Sequence, residues 1–162
     1  MVVIQLIGLV AFFFLLFGFW AKSKNTILVM HLIANLIYSV HYFLLDAYMG
    51  SAICVVVVIS DFFLINKTDK KKIKRHGIIF SMFFLIVGML NFTGYLSLIP
   101  VVGAIFTMYL LLKDDANEVR LGMVFASLMW IVYGLAVKSY VVAITESILS
   151  ISNTIAYNKY KK

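Results

Sequence analysis

Seven apolar runs follow one another along this chain, at about residues 2–20, 27–45, 49–65, 77–93, 96–112, 120–137 and 140–157, and only short polar connections separate them. Each approaches the length a helix needs to cross the roughly 30 Å hydrocarbon layer of a bilayer. Inside that layer every backbone N–H and C=O must be satisfied within its own segment, so runs of this kind become α-helices. The expected fold is all-α and integral to a membrane, one domain over residues 1–162 with no soluble insertion. Composition agrees. With 64% hydrophobic and 13% charged residues, there are too few polar side chains to cover a soluble globule.

The last run, residues 141–156 (VVAITESILSISNTIA), carries Glu146, Ser150, Ser152 and Asn153, which lipid penalises. Glu146, Ser150 and Asn153 fall at i, i+4 and i+7, so one helical face is polar over two turns and must look at protein or water. At the other end of the chain, residues 1–5 lack positive charge, whereas Lys22 and Lys24 follow the first apolar run. A cleavable signal has the reverse polarity, so the first run is expected to remain as a membrane helix.

Basic residues set the expected orientation. If the run NKTDKKKIKRHG is cytoplasmic, that side collects Lys22, Lys24, Lys67, Lys70, Lys71, Lys72, Lys74, Arg75, Lys113, Arg120, Lys159, Lys161 and Lys162, and leaves Lys138 outside. The N-terminus is then external and the C-terminus cytoplasmic, in the inner membrane of a bacterium. The net charge of +7 therefore reads as a topology signal that also meets anionic head groups, and nucleic acid is not an expected partner.

An internal repeat organises the segments. Without gaps, residues 5–70 match residues 97–162 at 14 of 66 positions, among them Leu6 with Leu98, Asn25 with Asn117, Tyr48 with Tyr140, and Asn66 and Lys67 with Asn158 and Lys159. The segment boundaries and the terminal Asn-Lys fall in step at this offset. The chain then reads as a three-helix repeat over 2–66, a linker helix over 77–93 and a second three-helix repeat over 96–158. The linker lets both halves run the same way through the membrane, as a parallel repeat.

The same offset pairs Asp61 with Asn153, Tyr38 with Trp130, His41 with Tyr133, Cys54 with Glu146 and Gly8 with Pro100. A buried Asp opposite a buried Asn can hold hydroxyl or amide groups, and the Asp can also hold a cation or proton. Aromatic faces at Tyr38 and Trp130, with His41 beside them, would stack a flat solute. The alternative for Asp61 is an ion pair with a nearby Lys or escape to the cytoplasmic interface. Glu146 needs a partner or a proton, which makes it either a proton-coupling residue or a structural acid. His31, Asn35, Tyr38 and Tyr42 form a helical stripe on the second segment, with His31 expected to be a satisfied interfacial histidine. Pro100 is either a hinge or an unremarkable proline in the first turn of its helix.

The stretches QLIGLVAFFFLLFGFW, HYFLLDAYMGSAI and SLIPVVGAIFTMYLL, and Glu146 followed by Asn153, resemble the YgjV-type bacterial inner membrane protein family over nearly the whole chain. The three-plus-one-plus-three plan is similar in turn to the SWEET sugar transporters, the wider PQ-loop group and the PnuC-type vitamin transporters. The SWEET resemblance implies that Asp61 and Asn153 stand where paired asparagines help hold the solute, and that Pro100 stands at one of the prolines that let flanking helices bend. Departures are specific: an Asp replaces one Asn, Gly8 occupies the symmetric proline place, and no Pro-Gln dipeptide occurs.

No phosphate loop, nucleophile elbow or HExxH motif is present, so an enzyme is not expected. The single cysteine, Cys54, provides neither a disulfide nor a thiolate metal site, and no metal or cofactor is expected. Two functions from different classes remain. One is a small-solute transporter or facilitator whose two three-helix bundles alternate access around a central polar site. The other is a non-transporting inner-membrane protein, an assembly partner or sensor, that uses the polar pairs to lock helices together. The expected partners are the bilayer and a small polar solute, with homo-oligomer formation left open.

Overall fold

The computed structural model describes residues 1–20, 24–65, 69–111 and 116–160, and these residues form seven α-helices and no strand. They are α1 (Val2–Trp20), α2 (Lys24–Leu44), α3 (Tyr48–Leu64), α4 (Lys70–Leu90), α5 (Leu98–Leu111), α6 (Ala116–Ala136) and α7 (Tyr140–Tyr160), with a 3₁₀ turn at Tyr95–Ser97 before α5. Of the basic residues that set the expected orientation, Lys22, Lys67, Lys113, Lys161 and Lys162 lie outside the described residues, as does Asn66 of the repeat.

Helix ends depart from the apolar runs where polar chemistry controls them. α4 begins at Lys70, well before the apolar run at 77, because Asp69 caps it: its carboxylate accepts from the Lys71 and Lys72 backbone N–H groups at 2.9 and 3.3 Å. The basic turn KKKIKR is thus helical while projecting beyond the apolar stretch. At its other end α4 stops at Leu90, where the Asn91 amide donates to the Val87 carbonyl at 3.0 Å and Gly94 takes φ +134°.

Each helix packs on the next in two runs, α1–α2–α3 and α5–α6–α7; α1 returns to α7, α3 meets α5, and α4 lies against both α3 and α5. The surface of this bundle is inverted relative to a soluble protein. On α7, Ile144, Ile148, Ile151 and Ile155 point outward while Thr145, Leu149 and Asn153 are buried, and Asp61, Ser60, His41 and Ser139 are inside. Such an outer face needs hydrocarbon around it. Asn25–Leu44 and Lys70–Leu90 are long and apolar enough by themselves to cross a membrane, whereas stretches such as Tyr48–Leu64 are apolar but shorter. At 17 residues α3 is about 25 Å long, slightly under the hydrocarbon thickness.

Two turns have matching geometry. Asp46 and Lys138 both adopt left-handed φ, at 56° and 58°. Around them the bonds recur in step: Ala47 N–H to Tyr42 C=O and Ser139 N–H to Gly134 C=O, then Asp46 N–H to Phe43 C=O and Lys138 N–H to Leu135 C=O. α2 and α6 likewise begin and end at positions separated by the same 92 residues.

Candidate functional site

All seven helices contribute to one central cavity of about 70 Å³, through Leu15, Tyr38, Asp61, Phe84, Thr107, Trp130 and Glu146 among others. Its ionisable corner follows from the antiparallel α2–α3 hairpin. His31 and Asp61 each lie fifteen residues from the left-handed Asp46, so the hairpin brings them to one depth, and His31 Nδ1 donates to Asp61 Oδ2 at 2.6 Å. The Asp61 side chain is 1% exposed and that of His31 27%, so the imidazole reaches outward while the carboxylate stays enclosed. Asp61 Oδ1 is buried without a hydrogen-bond partner. So is the Tyr38 hydroxyl; Thr145 faces it but donates its own proton to the Val142 carbonyl at 3.1 Å.

The second acid comes from the other half of the chain. Glu146 on α7 also lines the cavity, and its Oε2 accepts from the Ser127 hydroxyl of α6 at 2.7 Å. Tyr42 stacks on Trp130 with ring centres 6.4 Å apart and meets Tyr133 at 5.6 Å, which roofs the cavity toward the end carrying the Asp46 and Lys138 turns.

Beyond this aromatic roof the bundle is closed by two reciprocal latches. His41 of α2 is fully buried; its Nδ1 donates to the Ile4 carbonyl at 2.8 Å, which leaves Nε2 to accept from the Ser139 hydroxyl at 2.6 Å. Tyr133 of α6, which lies 92 residues after His41, accepts from the Gly50 N–H of α3 at 2.9 Å. That N–H lies in the first turn of α3, where no intrahelical acceptor exists and no side chain caps the helix. Each half thus reaches the turn region of the other. Gln5 adds a two-pronged tie, donating to the Lys138 carbonyl at 2.9 Å and accepting from the Val141 N–H at 3.0 Å. Close approach requires glycine here: a Cβ on Gly8 would sit 2.5 Å from Val141 Cγ1, and one on Gly50 2.8 Å from the Tyr133 ring.

Of the residues singled out by sequence, the cavity gathers Asp61, Tyr38, Trp130 and Glu146. Asn153 is buried but is not among the lining residues; its amide donates to the Leu149 carbonyl of its own helix at 3.0 Å. His41 lies outside the lining too, with both ring nitrogens occupied by the latch. Pro100 is fully buried in the first turn of α5, where its missing N–H costs no helical bond. Sequence reasoning placed His31 at an interface and passed over Ser127. The equal spacing of His31 and Asp61 about the turn is the signal that would have paired them.

A family model for bacterial inner membrane proteins, Imp-YgjV, matches residues 2–162. The chain belongs to that family. Membership agrees with the inverted bundle and places the protein in the bacterial inner membrane. No curated protein and no solved structure is significantly similar to the chain.

Proposed function

We propose that this Imp-YgjV family member is a small-solute transporter or facilitator, in which two three-helix halves, α1–α3 and α5–α7, alternate access to the central cavity while α4 links them. The observation that carries this reading is the composition of the cavity wall. It contains three pairs related by the 92-residue repeat, Leu15 with Thr107, Tyr38 with Trp130 and Cys54 with Glu146. If the two halves are parallel repeats, a cavity between them is where rocking of one half against the other would expose a solute to alternate sides. Ionisable groups enclosed inside a membrane-embedded bundle are costly and point to a pathway rather than to packing. The two latches, themselves built from the repeat-related His41 and Tyr133, are the gate at the turn end. With the basic residues cytoplasmic, that gate faces outside, and the present conformation is closed outward.

Within this mechanism Asp61 and Glu146 hold the solute, Tyr38 and Trp130 cover it, and a protonatable Glu146 couples the cycle to protons. His41 works in the gate. Uptake by purified protein in liposomes, screened across sugars, nucleosides, vitamins and small amines, tests the reading. Uptake that Asp61→Ala abolishes supports it. Lack of flux for every solute in protein of confirmed fold overturns it and favours an assembly or sensing role.

A further inference from the structure

The cavity has an excess of acid over base. Asp61 and Glu146 line it, and His31 is the basic side chain among its lining residues. His31 is hydrogen-bonded to Asp61 and lies within Coulomb range of Glu146 as well. With both carboxyls ionised, one negative charge is left over even when the imidazole is charged, and Asp61 Oδ1 and the Tyr38 hydroxyl, both on side chains more than nine-tenths buried, have no partner there. An unpaired buried charge is expensive, so in that state the site calls for a cation, which competes with a proton on Glu146.

Size and geometry narrow the cation. A 150 Å³ cavity takes benzene, so about 70 Å³ has room for roughly three heavy atoms, far fewer than a sugar carries. Among the described residues His31, Asp61 and Glu146 do not form a metal-ligand cluster, which disfavours a bare metal ion gripped by all three. Part of the remaining wall is aromatic, with Tyr38, Tyr42, Phe84 and Trp130 among the lining residues, and aromatic rings attract alkylammonium groups. We infer that the central cavity binds a small alkylammonium ion, its nitrogen set among the Asp61 carboxylate, the Glu146 carboxylate and the Tyr38 hydroxyl, and its carbon against the aromatic faces. The inference takes its site from the transporter reading and names the solute class for it.

Cys54 is the sole cysteine and lines the cavity, so the unmodified protein carries its own reporter. Reaction of Cys54 with methyl methanethiosulfonate is followed by mass spectrometry in detergent at constant pH and ionic strength. Methylammonium is expected to slow it at least tenfold in a saturable manner and to raise the thermal midpoint. Tetramethylammonium, potassium and glucose at equal concentration are expected to do neither. Glu146→Gln and Asp61→Asn should each weaken the methylammonium protection at least tenfold. Absence of protection by methylammonium, equal protection by potassium, or undiminished protection in both variants overturns the inference, and the parent protein decides even if a variant fails to fold. Uptake of a neutral solute indifferent to methylammonium would sink the inference and leave the transporter intact. Methylammonium protection without flux of any solute would do the reverse.

Discussion

Tyr133→Phe removes one oxygen atom from the proposed gate and leaves the ring contacts with Tyr42 and Trp130 in place. The lost bond is the 2.9 Å contact from the buried Gly50 N–H. An interhelical hydrogen bond in a membrane protein is worth about 0.6 kcal/mol on average and up to about 1.7. Here the donor left behind sits in the first turn of α3 with no capping side chain, and a stranded buried donor costs about 1 to 3 kcal/mol. Together these give about 1 to 2 kcal/mol against the closed state, a factor of roughly 5 to 30 in its population relative to an open one. Cys54, which is 2% exposed beneath the aromatic roof, reports that population through its rate of alkylation. The variant should react roughly 5 to 30 times faster than the parent, with circular dichroism unchanged. His41→Phe should have an effect of the same order, because it strands the fully buried Ser139 hydroxyl. If neither variant accelerates labelling while both remain folded, the latches are not a gate.

Topology is the next test: a reporter fused after Lys162 should read cytoplasmic, and a cysteine placed at Asp46 should be labelled from outside. The opposite pattern would remove the orientation. His31→Phe leaves the Asp61 carboxylate enclosed without its partner and should destabilise by about 3 kcal/mol in a denaturation assay, whereas adding Asp61→Leu should restore most of that stability while abolishing solute binding. Recovery of binding along with stability would show that the pair is merely structural. Asn153→Ala should cost about 1 kcal/mol or less and leave solute affinity alone, since its amide bonds only its own helix; a loss of affinity matching that of Asp61→Ala would put Asn153 back in the site. Glu146→Gln should keep the fold and make transport independent of pH, measured as uptake at several external pH values, and persistence of the pH dependence would assign coupling elsewhere.

The helical class and the segment count were legible because each rests on local chemistry, whereas the family came from the resemblance of whole stretches. Apolar runs of bilayer length leave the backbone one hydrogen-bonding solution, and the polar face of α7 at Glu146, Ser150 and Asn153 shows in the 3.6-residue period alone. The capped start of α4 at Asp69 was also written in the sequence, although a reading by hydropathy passes over it. The expected repeat rests on boundaries in step, and the Asp46 and Lys138 turns have the same geometry at that offset.

What only the tertiary structure decided is which polar residue meets which. Asp61 and Asn153 correspond along the chain, yet position in a repeat fixes depth and leaves the direction of a side chain to the packing of its neighbours. Asp61 turns to His31 across its own hairpin, whereas Asn153 has Met123 at the place corresponding to His31 and bonds its own backbone instead. His41 looks like a site residue because it neighbours Tyr38 and Tyr42 in sequence. Close approach of α1 at Gly8 and of the α6–α7 turn at Ser139 satisfies both of its nitrogens away from the cavity, and sequence spacing carries no record of contacts that reach 37 and 98 residues along the chain.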